Sequence, residues 1–263
     1  MFPKIATVGD NCMDVYDNTG KAYPGGNPVN VAVYFARMGG EASYTGIVGD
    51  DAYGKLMLEA IAAKGVDVSH VRTEPGATAV THVQLVDDER VMGDYEEGVM
   101  ANFSLRPEDI DFLGEQDIVV SALWGEAHPY FPQIQEKGAL IAYDAATRPF
   151  DPAAQQAIEW VDYFFFSVED GDTPENRAKM VQLYEQGPEL VIMTMGTHGS
   201  LAYNGEDFVH ADIVPCNVVD TMGAGDSYIA GFLLGICRGE DLYACMQLGA
   251  LNASITIGYN GAW

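Results

Sequence analysis

Short, nearly continuous apolar runs separated by helix-compatible stretches narrow the folds open to this chain more than any other feature. Asp117 to Val120, Leu140 to Tyr143, Tyr163 to Phe166 and Leu190 to Thr194 are apolar at almost every position rather than at alternate ones. A strand that is apolar on both sides must be covered on both sides, as parallel strands are in an α/β layer structure. The intervening stretches, Pro129 to Lys137, Pro152 to Trp160 and Pro174 to Gln186, are compatible with the covering helices. The N-terminal part has the same rhythm: a strand over Ile5 to Val8, a helix opening at Pro28, a strand over Ala42 to Val48, and a helix from Tyr53 to Ala63 closed by Gly65. With 263 residues, 48% of them hydrophobic, the chain can build one large core.

The middle breaks the alternation. Thr78 to Val86 and Arg90 to Gly93, joined by Asp87-Asp88-Glu89, read as a hairpin. A hairpin inserted into an α/β chain fits the main sheet poorly, so a flap over the ligand crevice is expected. A second hairpin, Ser200 to Tyr203 and Asp207 to Val209, turns at Asn204-Gly205. A strand is expected over Cys216 to Val219, then helices over Ser227 to Cys237 and Leu242 to Ile257.

Composition excludes several classes of partner. A formal charge of −26 argues against nucleic acid and against anionic membrane surfaces, since both call for a basic face. No apolar run approaches a membrane span, and the first strand begins too early to leave room for a signal peptide, so a cytoplasmic protein is expected. The four cysteines, Cys12, Cys216, Cys237 and Cys245, lack metal-ligand spacing and read as reduced thiols. An acidic chain that binds an anionic cofactor must rely on Mg²⁺, backbone N–H groups and helix ends instead of many lysines.

Two glycine-rich stretches carry candidate chemistry. In Asp220-Thr221-Met222-Gly223-Ala224-Gly225-Asp226 nothing bulky covers the backbone N–H groups at the start of a helix, which makes an anion site. An aspartate there would repel a phosphate unless it faces the atom that attacks it, so Asp226 is the candidate general base. A plain glycine-rich turn with an aspartate favouring the helix dipole is the alternative. Gly25-Gly26-Asn27-Pro28-Val29-Asn30 admits a ligand close to the backbone and offers amide donors and acceptors, which suits a neutral hydroxylated molecule. A capped helix after a turn fits that stretch equally well. Gly9-Asp10-Asn11, following the first strand, lacks the glycine spacing of a dinucleotide-binding turn.

Together and in this order, the stretches Gly25 to Ala32 and Asp220 to Asp226 resemble the two signatures of the ribokinase-like (PfkB-type) carbohydrate kinases, with the similarity running over nearly the whole chain. Gly9 to Cys12, Gly93-Asp94-Tyr95, Glu97 to Ala101 and Gly261-Ala262-Trp263 resemble the branch that phosphorylates the 6-hydroxyl of an amino acid-linked fructose such as fructoselysine. The resemblance implies a single domain over 1–263, a three-layer α/β/α sandwich with a small β-sheet lid from about 12–24 and 76–98, and a homodimer paired through that lid. It implies ATP and Mg²⁺ as cofactors, with potassium as a candidate monovalent ion.

By the same resemblance Asp226 takes the proton of the sugar hydroxyl, and Gly223, Ala224 and Gly225 form the anion hole. Asp14, Gly26, Asn27 and Asn30 bind sugar hydroxyls. Thr194, Gly196 and Gly199 line the ATP phosphates and ribose, with Asn252, Ile255 and Asn260 on the adenine side. Asp220 and the Met222 carbonyl hold the monovalent cation. The family's Asn-x-x-Glu pattern at the Mg²⁺ water shell is here Ser167-Val168-Glu169-Asp170, leaving Asp170 and Glu169 as metal-side candidates. For an attached amino acid, Asp94, Glu96 and Glu97 are expected to face ammonium groups, and Arg90 or Arg148 a carboxylate. A kinase of fructose, a ketohexonate or a nucleoside would share every catalytic residue. A non-catalytic binding protein would have no need of a base at 226.

Overall fold

The computed structural model describes residues 3–86 and 89–263, with the backbone alone at 85, 86 and 89–92. In chain order the strands are β1 (Lys4–Val8), β2 (Cys12–Tyr16), β3 (Lys21–Gly25), β4 (Glu41–Gly49), β5 (Val71–Glu74), β6 (Val80–Val86), β7 (Glu89–Glu96), β8 (Ile118–Ala122), β9 (Leu140–Asp144), β10 (Tyr163–Ser167), β11 (Leu190–Thr194), β12 (Ser200–Tyr203) and β13 (Phe208–Ala211). The helices are α1 (Asn27–Arg37), α2 (Ala52–Ala63), α3 (Pro107–Gly114), α4 (Phe131–Gln135), α5 (Pro152–Ala157), α6 (Pro174–Tyr184), α7 (Ala224–Arg238) and α8 (Leu242–Thr256).

Nine strands form the main sheet in the order β13-β12-β11-β10-β9-β8-β1-β4-β5. From β5 to β11 neighbouring strands are parallel; β12 and β13 add an antiparallel edge. The period-2 geometry of a strand divides each apolar run between two cores. Ile5, Phe165 and Ile192 pack with α1, α2, α7 and α8 on one face. Ala6, Val8, Phe164, Phe166, Val191 and Met193 pack with α3 to α6 on the other. The sheet therefore consumes both sides of every run, as the unbroken hydrophobicity requires.

The hairpin β6–β7 does leave the main sheet. It joins β2 and β3 in a four-stranded sheet of order β3-β2-β6-β7, with β2 and β6 parallel and the outer pairs antiparallel. Among the described residues no helix is long and apolar enough to cross a membrane, and the four cysteines are unpaired.

Three expectations change. Cys216 to Val219 is not a strand but an exposed loop: Val218 and Val219 are 63% and 52% exposed. The loop lies across the end of α8, where the Val219 N–H donates to the Ile257 carbonyl (2.8 Å), so its apolar side chains never meet the sheet. The helices expected over 129–137 and 152–160 are each partly 3₁₀: His128–Tyr130 precedes α4 and Ile158–Trp160 follows α5. β2, β5 and α3 were not expected from periodicity, being short or only partly buried.

α7 is held close on both sides. A Cβ at Gly231 would come within 2.4 Å of the Leu248 carbonyl oxygen, so the glycine lets α8 approach at backbone distance. The buried Asn252 of α8 donates to the Ser227 carbonyl (2.7 Å) and accepts from Arg37 of α1. These contacts fix the first turn of α7, and with it the position of Asp226.

Candidate active site

The carboxyl ends of the parallel strands converge with the start of α7. Asp10 follows β1, Asp144 ends β9, Ser167 ends β10 and Thr194 ends β11. This is where open α/β sheets bind ligands.

α1 begins at Asn27, with Gly26 as its N-cap and Pro28 in its first turn. Gly26 has φ +108°, and a Cβ there would lie 2.7 Å from Asn11 Cα, so only glycine lets α1 start this close to the end of β1. The start places two amides on Asp226. Asn27 Nδ2 donates to Asp226 Oδ1 and Asn30 Nδ2 donates to Asp226 Oδ2, both at 2.7 Å. Asn27 Nδ2 spends its other hydrogen on Asp144 Oδ2, also at 2.7 Å. Asn30 cannot turn its amide over, because its Oδ1 accepts from the indole Nε1 of Trp263 (2.7 Å). Both oxygens of Asp226 are thus oriented by donors.

Three acidic side chains gather here. Burial, with the Asp144 charge nearby, pushes Asp226 up to about 7 against the two amide bonds that favour its ionised form. Burial likewise pushes Asp144 and Asp10 up to about 6; Asp144 is partly offset by the Ala146 N–H, which donates to its Oδ1 (2.8 Å), and by Asn27. Asp10 Oδ1 and Asn27 Oδ1 are buried without a hydrogen-bond partner. A base poised near neutrality beside a helix N-terminus suits proton abstraction from a hydroxyl.

The anion loop is built as its composition suggests. Gly223 caps α7 at φ +72°, and a Cβ there would fall 2.1 Å from the Tyr34 hydroxyl. A Cβ on Gly225 would meet nothing within 4 Å, so this side of the turn is open to a ligand. The Ala224 N–H reaches back weakly to Thr221 O (3.2 Å), whereas first-turn N–H groups such as those of Gly225 and Asp226 have no intrahelical carbonyl. Asp220 staples the loop: its Oδ1 accepts from the Met222 N–H (3.0 Å) and its Oδ2 from the Gly261 N–H (2.8 Å). A monovalent cation at Asp220 and Met222 would have to share those oxygens.

Other sequence candidates fall in different surroundings. The buried carboxylate of Asp14 lies against Gly25, where an added Cβ would be 2.8 Å from Oδ2. Gly196 lies in an exposed 3₁₀ turn after β11 with open space around it, and the Thr194 hydroxyl bonds that of Ser167 (2.7 Å). Gly199 turns the chain into β12. Asp170 and Glu169 are neighbouring exposed carboxylates, and Asp170 accepts from Nδ2 of the buried Asn176 (2.8 Å). Ile255 and Asn260 are exposed, but Asn252 is enclosed in the helix seam and cannot line a nucleotide surface.

The lid charges are also displaced from their expected place. Asp94, Glu96 and Glu97 are exposed, and Glu96 lies 3.5 Å from His82, whose other ring nitrogen meets Asp17. Alternation at the end of β7 puts Tyr95, whose hydroxyl feels the Asp10 carboxylate, on the face opposite Asp94 and Glu96, while Glu97 lies beyond the strand. Arg148 pairs with Asp151 on the rim of a separate 490 Å³ cavity near the end of β10. The Arg90 side chain lies outside the described residues. Sequence reasoning gave no role to Asp144, and it noted Asp10 and Trp263 only within stretches that carry a resemblance. An aspartate ending an apolar strand was the available signal for Asp144.

The sequence pattern of the pfkB family carbohydrate kinases matches residues 4–263. A fructoselysine 6-kinase of Shigella flexneri is 45% identical over 259 residues, covering 98% of this chain and 99% of that protein. A fructosamine kinase of Bacillus subtilis is 31% identical over 265 residues, covering 99% and 93%. Among solved structures, the ribokinase of Arabidopsis thaliana complexed with ribose and ATP superposes with a TM-score of 0.88 at 22% identity, over 99% of this chain and 94% of that one.

Proposed function

The chain belongs to the pfkB family of carbohydrate kinases and is an ATP-dependent sugar kinase, and from that premise we propose that it transfers the γ-phosphoryl group of ATP to the 6-hydroxyl of fructoselysine, giving fructoselysine 6-phosphate and ADP. The observation that carries the substrate is the 45% identity, over almost the full length of both chains, to a fructoselysine 6-kinase.

The geometry supports the chemistry residue by residue. The sugar hydroxyl donates to Asp226, which takes its proton as the oxygen attacks the γ-phosphorus. The new O–P bond forms as the bond to the β-phosphate oxygen breaks, and ADP carries the leaving charge. The Gly223-Ala224-Gly225 turn and the positive end of α7 face the charge that develops on the transferred group. Asn27 and Asn30 fix the base, and Asp14 and Gly26 border the sugar. Gly196 leaves room for the nucleotide.

When bound with the nucleotide, Mg²⁺ draws charge off the phosphates, which a chain of net charge −26 would otherwise repel. Among the described residues no group of three or more His, Cys, Asp or Glu side chains is arranged to hold a metal. The exposed pair Glu169 and Asp170 suits an ion that keeps its waters and takes its other ligands from phosphate. Tyr95, an exposed aromatic side chain of the small sheet, supports pairing of two copies through that sheet; light scattering that gives a monomer mass would refute this.

A side-by-side kinase assay tests the substrate. kcat/KM for fructoselysine is expected to exceed that for free fructose by a wide margin. Equal values would leave a general fructose-type kinase, and Asp226→Asn retaining turnover within a few-fold of the parent would remove the assignment of the base.

A further inference from the structure

A cavity of about 940 Å³ opens between the small sheet and the loop that precedes the anion turn. Its walls include Asp14, Tyr16, Lys21 and Tyr23 from β2 and β3, and Asp220 and Trp263 from the other side. It adjoins the catalytic clamp directly, because Trp263 also donates to Asn30 and Asp14 lies against Gly25, two residues before Asn27. Pockets of this size hold drug-sized ligands, and a hexose would fill only part of it.

The chemistry of the walls is mixed in a specific way. Tyr16 and Tyr23 meet edge to face with ring centroids 5.7 Å apart, and Trp263 adds a third aromatic side chain to the lining. Lys21 is the only cationic side chain on the lining. In a chain with 39 acidic and 13 basic side chains, its ammonium makes no ion pair or hydrogen bond among the described residues, although acidic partners abound. Aromatic walls that carry one unpaired cation beside the carboxylates of Asp14 and Asp220 fit an aliphatic chain that ends in a zwitterion.

Resting on the reading of the site as a fructoselysine kinase, we infer that this cavity is the subsite for the amino-acid end of the substrate. The lysine methylenes lie against Tyr16, Tyr23 and Trp263, and Lys21 takes the carboxylate. This assigns carboxylate recognition to β3 and not to Arg90 or Arg148. It also separates substrate recognition from the outer charges of β7, which lies at the opposite edge of the small sheet, three strand spacings or about 14 Å away.

The test compares two sugars on the intact protein: fructoselysine, and the fructosamine of n-pentylamine, which keeps the linking nitrogen and the five-carbon chain but has neither the distal carboxylate nor the α-ammonium. Loss of one charge-assisted contact at a partly open site is expected to cut the ratio of kcat/KM values, fructoselysine over pentylamine analogue, about tenfold in Lys21→Gln, chiefly through KM. Lys21→Arg should restore most of the ratio, and Lys21→Glu should lower it further. Lys21 is exposed on a strand edge, so thermal melting is expected to confirm that all three variants fold. An unchanged ratio overturns the inference. So does an equal loss on both sugars, which would place Lys21 on the phosphate or on closure of the small sheet. If the unaltered protein uses fructose as well as fructoselysine, the substrate reading falls and takes this inference with it. A preference for fructoselysine with an unchanged Lys21→Gln ratio sinks the inference alone.

Discussion

Asp226→Asn should stabilise the protein at alkaline pH while removing its activity. The carboxylate is held ionised in a place that disfavours charge, with Asp144 beside it, and its pKa is pushed from 3.8 up to about 7. At that value, ionising it in the folded state costs about 4 kcal/mol at pH 8 relative to the unfolded chain. The side chain keeps some solvent contact, which lowers that to about 2–3 kcal/mol. An asparagine removes this cost but introduces another. Asn30 is pinned by Trp263 and still needs an acceptor, so the new NH₂ must face Asn27 Nδ2, donor against donor. That mismatch costs about 1 kcal/mol, leaving a net gain of about 1–2 kcal/mol.

The sign with pH follows from the raised value. A carboxyl whose folded pKa exceeds its unfolded one contributes stability that is fully present below the unfolded value and is lost as pH rises through the folded value. The parent protein should therefore melt higher at pH 5.5 than at pH 8, and the advantage of Asp226→Asn should be confined to the upper part of that range. For a domain of this size, 1–2 kcal/mol corresponds to roughly 2–4 °C in Tm at pH 8, shrinking toward zero at pH 5. Differential scanning fluorimetry across pH 5 to 8.5 measures both curves. The reasoning is refuted if the variant melts lower than the parent at pH 8, or if the difference between them does not depend on pH.

The remaining predictions concern activity. Trp263→Phe keeps an aromatic ring but frees the Asn30 amide to turn its oxygen toward Asp226, so kcat should fall about tenfold with KM little changed, and the acid limb of the kcat/KM profile should move to higher pH; a parental profile would show that Trp263 merely packs. Excess chelator should abolish turnover without changing the melting temperature by more than about a degree, and full activity in chelator would refute the need for a divalent ion. Asp170→Ala should raise the Mg²⁺ concentration needed for half-maximal rate, and an unchanged Mg²⁺ response would remove Asp170 from the metal side.

Much of the fold was legible because burial on both faces leaves an unambiguous mark. A run such as Tyr163 to Phe166 has no polar position to spare, and it became a strand that feeds two cores. The run Cys216 to Val219 looks the same in composition but is exposed, because four apolar residues carry no record of whether a neighbouring strand exists to pair with them. The site was legible where backbone conformation demands glycine, at Gly26 and Gly223, and where amides sit one helical turn apart, at Asn27 and Asn30. It was illegible where side chains from distant segments share a hydrogen bond. Asp144 lies 117 positions from Asn27 and Trp263 lies 233 from Asn30, and nothing local to either residue announces the partner. The lid charges show the reverse failure: Asp94, Glu96 and Glu97 have the right chemistry for an ammonium group, but strand alternation turns Asp94 and Glu96 outward.

The large negative charge and the buried acids have related consequences for how this site must work. With few cations near the phosphates, the charge of the transferred group has to be met by backbone dipoles, by the helix end and by Mg²⁺, none of which changes its protonation near pH 7. The groups that do titrate there are Asp226, Asp144 and Asp10. Asn27, by donating to Asp226 and Asp144 at once, favours the ionised form of both, while each charge disfavours the other. A secondary ammonium bound beside these carboxylates would relieve that repulsion, lower the pKa of the base and raise the fraction of it ready to accept a proton, whereas a neutral sugar would leave the repulsion in place.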